Sequence, residues 1–257
     1  MSFPTLVTLS DRDCYDTYTT RPSGLVVGTP ALTVDNRKYI LSLAAGDLDD
    51  LARLVVNSSI CPGATGGDGY EGSLYADAAA GAQYVDIADT TARAVDYYQG
   101  AYLTIFPTGG PYATYRITGN DLGNGSTHVR CYLATPLENA LTTSSGITAY
   151  RNPYVAVKAA ADYDPAAGYA AFIGLPQCAV TSGSYFWLLV AGPAWVTAQG
   201  GTWPGYVVNE RDVYAHQDGT IDPASIKDPS VGYQRVGYLL SGTYAAYGDA
   251  FIMLQLG

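Results

Sequence analysis

Residues 102–133 read YLTIFPTGGPYATYRITGNDLGNGSTHVRCYL, from Tyr102 to Leu133. Short runs rich in Tyr, Thr, Ile and Val alternate apolar with polar positions, and Pro, Gly, Asn or Asp closes each run. This is the pattern of strands with one face buried. The runs Tyr102–Pro107 and Tyr112–Thr118 flank a Thr-Gly-Gly turn. Asn124-Gly125 is a favoured two-residue hairpin turn. In the strand after it, Val129, Cys131 and Leu133 are expected to face a core, with His128, Arg130 and Tyr132 facing solvent or a partner.

The same texture extends in both directions. YFWLLVAG, from Tyr185, reads as a buried strand, and GYVVNERDVYAHQDG as two short strands with a turn. QRVGYLL and DAFIMLQL read as the last two strands, with no Pro inside them to remove a ladder hydrogen bond. Lys38–Leu43 and the stretch near Tyr154–Lys158 suit strands. One helix is expected, over Asp47–Val55: Asp47 is a possible cap, and Leu48, Leu51, Leu54 and Val55 share a face. ARLVV within it suits a strand as well. Residues 1–36, broken by Pro4, Pro22, Gly24, Gly28 and Pro30, read as extended. They form either an arm lying on a neighbour or an edge strand and loops of the same domain.

The expected fold is therefore mainly β, a β-sandwich or barrel-like body with short helices at most and an extended N-terminal segment. The expected divisions are 1–36, a β-rich 37–152 and a β-rich 153–257, the last two separable or one body. Composition agrees. Among 257 residues, 29 are Gly and 14 Pro, and only 14% are charged. That mixture excludes a long helical bundle, and the 48% hydrophobic content excludes disorder along the whole chain.

The net charge is −10. It argues against a general nucleic-acid binder, which needs a basic face, and against docking on an anionic membrane. No run is long enough to span a bilayer, because YFWLLVAGPAWV is interrupted by Gly192-Pro193. MSFPTLVTLSDRD has neither a basic n-region nor a sustained apolar h-region, so a cytoplasmic origin is expected. The widely spaced Cys14, Cys61, Cys131 and Cys178 are read as reduced.

Catalytic signatures are weak. The two histidines, His128 and His216, have no marked local partner. No GxSxG or Walker A stretch occurs. Gly67-Asp68-Gly69-Tyr70-Glu71-Gly72 matches GxGxxG formally, but its surroundings suit a flexible surface loop better than a strand-to-helix phosphate site. Asp47, Asp49 and Asp50, and likewise Asp218 and Asp222, lack the calcium-loop pattern and are read as caps and turns. No catalytic, metal or cofactor residue is assigned. Tyr is the remaining signal: 23 residues, against 5 Phe and 3 Trp. Its ring is apolar and its hydroxyl stays wet, which suits interfaces, as does a basic complement of mostly Arg. Arg12, Tyr15, Tyr18 and Arg21 in DRDCYDTYTTRP, and the doublet Tyr97-Tyr98, are the candidate contact residues. Tyr244 and Tyr247 are expected to be accessible in loops.

Residues 84–157 carry DYYQGAYLTI before a YRI strand, then PLENALTTSS and NPY. Later come GLPQCAVTSGS, YFWLLVAGP, VGYLL and a final apolar strand. In order and texture, roughly residues 37–257 resemble structural proteins of tailed bacteriophages, of the capsid decoration (cement) type. The resemblance implies a non-enzymatic virion protein, made in the bacterial cytoplasm, that binds the capsid exterior. Its expected partners are the major capsid protein and further copies of itself, as a homotrimer, with no cofactor, nucleic acid or membrane. The alternatives are a head fibre or adhesin binding host glycans, a tail or connector component, and an unrelated β-sandwich hydrolase.

Overall fold

The computed structural model describes residues 6–49, 52–57, 62, 67–106, 111–123, 125–160, 171–199, 211–223, 234–241 and 250–256. Of these, 49% lie in strands or bridges and 4% in helical turns, with no helix of seven or more residues, and the sheets curl into a half-barrel. The chain forms two compact units. One is built on Ser59–Pro153, the other on Pro4–Ser58, Tyr154–Ala166 and Ala170–Gly257. The chain passes between the units at Ser58–Ser59 and at Pro153–Tyr154. The break expected at 37 does not mark a unit, because residues 4–58 belong with the C-terminal stretch.

The second unit begins with β1 (Val7–Leu9), β2 (Thr17–Tyr18), β3 (Pro30–Thr33), β4 (Lys38–Leu43) and β5 (Val55–Asn57). The first unit holds β6 (Tyr70–Ser73), β7 (Tyr84–Ile87), β8 (Tyr102–Phe106), β9 (Ala113–Asn120), β10 (Val129–Leu133) and β11 (Gly146–Tyr150). The second unit resumes with β12 (Val157–Ala159), β13 (Phe172–Pro176), β14 (Tyr185–Val196), β15 (Asp212–Ala215), β16 (Ile221–Pro223), β17 (Arg235–Ser241) and β18 (Ala250–Gln255).

In the second unit β14 is the central element of a sheet ordered β1-β3-β4-β14-β18-β17-β15-β16. Its early residues pair with β4, and its late residues, Ala191 to Val196, pair with β18. Trp187 and Leu189 enter one apolar cluster; Phe186, Leu188 and Val190 enter another on the opposite face. A strand covered on both sides needs a continuous apolar run, which is what YFWLLV supplies. Each such side chain, fully buried, contributes about 1.5–3 kcal/mol. Pro193, which has no N–H to give, lies past the last β4 pairing, at Ala191.

The N-terminal stretch is part of this body. β1 runs parallel to β3 at the sheet edge, β2 pairs with β14, and Cys14 is buried in the core. The helix expected over Asp47–Val55 does not form in its described residues. Leu48 exchanges both backbone hydrogen bonds with Val180, at 2.8 and 3.0 Å, and Ala52 takes φ 61°, which no α-helix tolerates. The Asp47 carboxylate accepts from the Ser182 N–H at 2.8 Å instead of capping a helix. Distant backbone partners outweigh the local 3.6-residue period here. The expected strand near Tyr154 is delayed: Pro153–Val155 is a 3-10 turn, for which Pro153 presets φ, and pairing starts at Val157.

In the first unit the sheet order is β6-β11-β8-β9-β10-β7. Leu103, Ile105, Ile117, Val129, Cys131, Leu133, Ile147, Val85 and Ile87 line one face and form its core. β8 and β9 pair as the expected hairpin. β9 and β10 also pair, but the connection is longer than a two-residue turn, since β9 ends at Asn120 and β10 starts at Val129. Gly125 in it has φ 70°; Asn124 and the Thr-Gly-Gly turn lie outside the described residues.

Candidate functional site

The second face of the six-stranded sheet is open. Strand alternation puts the partners of the core residues there, and the cross-strand register groups them. Tyr150 lies opposite Tyr102, and Tyr102 opposite Arg116. In the next row Thr148, Thr104 and Thr114 stand side by side, with the last two hydroxyls 3.3 Å apart. Phe106 packs edge-on against Tyr112, ring centroids 5.5 Å apart. Across β9, Tyr132 lies opposite Tyr84 and Arg130 opposite Asp86. Tyr84, Tyr102, Phe106, Tyr132 and Tyr150 are each exposed by 39–48%.

Arg130, Tyr84 and Tyr132 are held in place. Arg130 donates from Nε and NH2 to the two Asp86 oxygens at 2.8 and 2.9 Å, a bidentate pair, and its guanidinium lies 4.2 Å from the Tyr84 ring centroid. The Asp86 hydrogen bonds raise the Arg130 pKa further. The Tyr132 hydroxyl contacts both Asp121 oxygens at 3.0 Å, and those bonds raise its pKa. Aromatic rings fixed by a neighbour lose little side-chain entropy when a partner covers them. The face thus offers flat rings, the Thr104 and Thr114 hydroxyls and fork-shaped cations. It suits recognition of a protein or sugar surface.

Behind the sheet core, Ala88–Ala101 is clamped by a buried network. Asp89 is 2% exposed and accepts from Arg93 Nε at 2.8 Å and from the Tyr98 hydroxyl at 2.7 Å. Burial pushes the Asp89 carboxyl up, but the bonds from Tyr98, Arg93 and the Thr91 N–H outweigh it and hold the pKa below its ordinary value. Arg93 also donates to the Gly69 carbonyl at 2.9 Å and to the Tyr97 hydroxyl at 3.1 Å. Tyr97 donates to Asp68, which accepts from Arg151 at 3.1 Å. The GxGxxG stretch is therefore pinned across its described residues rather than flexible. A Cβ at Gly69 would collide with the Ala149 carbonyl, and strand β6, not a helix, follows.

The candidate contact residues are scattered between the units. Arg12, Tyr15 and Arg21 are exposed, and Tyr18 is half-buried against Tyr185; these four belong to the second unit. Tyr97 and Tyr98 belong to the first. Tyr98 corrects the expectation of an accessible doublet: it is fully buried, because Asp89 and the Asn120 side chain both hydrogen-bond to it. Tyr97 is half-buried and tied to Asp68. Tyr244 and Tyr247 lie outside the described residues. Sequence reading missed Tyr84, Tyr102 and Tyr150. The alternation that marked Arg130 and Tyr132 as outward would have found Tyr102 too, but its meeting with Tyr150 depends on β11 lying beside β8.

Elsewhere the titratable groups are turn and core components. His216 Nδ1 lies 2.8 Å from Asp218, whose Oδ1 also accepts from the Thr220 N–H at 3.0 Å. His128 stacks on Tyr75 with ring centroids 4.5 Å apart. Cys14, Cys131 and Cys178 are free, and burial raises the pKa of each. No group of three or more His, Cys, Asp or Glu among the described residues is placed to hold a metal ion. Comparison with known protein families, with curated proteins and with solved structures finds no match.

Proposed function

We propose that this chain is a non-enzymatic virion protein that binds the outside of an assembled bacteriophage capsid and ties its subunits together as a decoration, or cement, protein. The observation that carries the reading is the open face of the first unit's sheet, where register aligns the exposed Tyr84, Tyr102, Tyr132 and Tyr150 with the half-buried Arg116 and Arg130, none of them part of the core. Tyr and Arg are the residues that interfaces between separately folded proteins favour. The resemblance of the sequence, in the order and texture of its segments, to phage decoration proteins points the same way. The partner is the major capsid protein. A homotrimer suits the threefold positions of a capsid lattice. Weak contacts then act together, because each becomes effectively intramolecular once the first has formed. Net negative charge keeps the protein soluble before assembly.

The test adds purified protein to capsids that lack it and follows bound copies and the temperature of shell disruption. Saturable binding at many copies per shell, with a raised disruption temperature, is expected. No shift at saturating protein overturns the reading. Binding to host polysaccharide in the absence of capsids would replace it with the adhesin alternative.

A further inference from the structure

The second unit carries another exposed sheet face, of different chemistry. On β14 and β18, Trp195 lies directly opposite Phe251 and Pro193 opposite Met253; on β17, Tyr238 lies opposite Met253. Leu240 falls at the register shift between Leu239 and Ser241, beside Phe251. Trp195 is 54% exposed, Leu240 44% and Phe251 43%. Their chain neighbours Ala194, Val196, Leu239, Ala250 and Ile252 are the buried ones, so the aromatic pair points outward from a finished core. A Trp and a Phe side by side with Leu and Met form an apolar patch that water disfavours at about 25 cal/mol per Å².

Charge selects what covers it. At the border, Arg235 binds Asp212 at 2.8 Å and Gln255 at 3.2 Å, and the exposed Lys38 lies opposite Ala191 on the same side of the sheet. A chain of net charge −10 repels its own copies over most of its surface. Two copies meet at least cost where that negative charge is offset, and this face, with Arg235 and Lys38 against Asp212, is such a place. Interfaces between copies of one chain are also the more apolar class, whereas partners that fold apart meet through more polar faces. An anionic bilayer meets a single unmatched cation here among the described residues, Lys38, on a chain of net charge −10, and a glycan finds few hydrogen-bonding groups around the rings.

We infer that Trp195, Phe251, Leu240 and Met253 form the surface through which copies of this chain associate. The inference shares with the proposed function only the association of copies; it names the surface and stands apart from the capsid contact. The experiment is sedimentation velocity of the full chain at micromolar concentration, for the wild type and for Trp195→Ser with Phe251→Thr, with circular dichroism to verify folding. The wild type should sediment as an oligomer. In the double variant the concentration for half-assembly should rise at least tenfold. A two-copy wild type that the double variant dissociates sustains this surface and overturns the threefold part of the proposed function. A wild type of single-copy mass, or a folded double variant with wild-type association, overturns the inference, as does retained association with lost capsid binding. If the double variant loses its β signal, Leu240→Ser alone is measured in the same way: unchanged association overturns the inference, and weakened association supports it.

Discussion

The six-stranded sheet of the first unit hides one face, whereas the β14 segment of the second unit hides both. From Tyr102 to Phe106, Thr114 to Thr118 and Val129 to Leu133 every second residue is released from packing, and those positions carry Tyr, Thr, Arg and Phe106. In β14 from Phe186 to Val190 no position is released, and all five are buried. A face that the core does not need is free to be shaped for a partner. A strand enclosed on both sides has only one task, holding two apolar clusters apart and together. Substitutions should therefore separate cleanly into those that unfold the protein and those that leave it folded but unable to bind.

The largest effect is expected in β14. Phe186→Ala leaves a cavity in a fully enclosed site and should cost about 3–5 kcal/mol in chemical denaturation. A loss under about 1 kcal/mol would mean that β14 is not the enclosed element described. Next, Asp89→Ala in the first unit strands the Arg93 guanidinium and the Tyr98 hydroxyl, and should cost about 3 kcal/mol. Because the folded-state pKa of Asp89 lies below its unfolded value, its contribution is present above the unfolded pKa, about 4. It is lost as pH falls through the folded pKa. The variant should accordingly show a flatter loss of stability in acid.

On the open face, Tyr102→Ser with Tyr150→Ser should weaken capsid binding about 30-fold, the equivalent of ~2 kcal/mol. Thermal stability should hardly change. Equal losses of binding and stability would show that these rings serve the fold. The smallest effect is expected at Asp222, which is 2% exposed with Oδ1 lacking any hydrogen-bond partner. Burial raises its pKa; the nearby His216 opposes this and Asp218 adds to it. The sign is opposite to that of Asp89: its contribution is full below the unfolded pKa and is lost as pH rises through the folded one. Asp222→Asn should raise Tm near neutrality by about 2–4 °C, the shift that ~1 kcal/mol makes in a body of this size. The gain should vanish in acid.

The sequence made the local alternation readable. Val129, Cys131 and Leu133 are buried, while Arg130 and Tyr132 point outward, as period-two reasoning requires. The enclosed run from Tyr185 was equally readable, because few structures other than a central strand use so many consecutive apolar residues. Long-range partners were not readable. Nothing near Asp47 announces Ser182, and nothing in the Tyr97-Tyr98 doublet says that Asp89 and Asn120 will take one ring inward. The candidate face suffers the same limit. Its Tyr and Arg residues come from β7, β8, β9, β10 and β11, and their grouping is a property of strand order, which local periodicity does not encode.

Val157 to Ala159 in β12 pairs with Asn57 to Val55 in β5, so the strand leading out of the second unit and the strand leading back into it lie side by side. In the order of synthesis this has a price. When a ribosome has delivered the whole of residues 59–153, β4 still lacks the neighbour against which Tyr39 and Leu41 are enclosed, because β14 has not yet been translated. The earlier half of the second unit must wait, with its apolar residues uncovered, while the interposed segment completes its own sheet. The earlier-made half of the second unit is thus among the last segments to reach native burial.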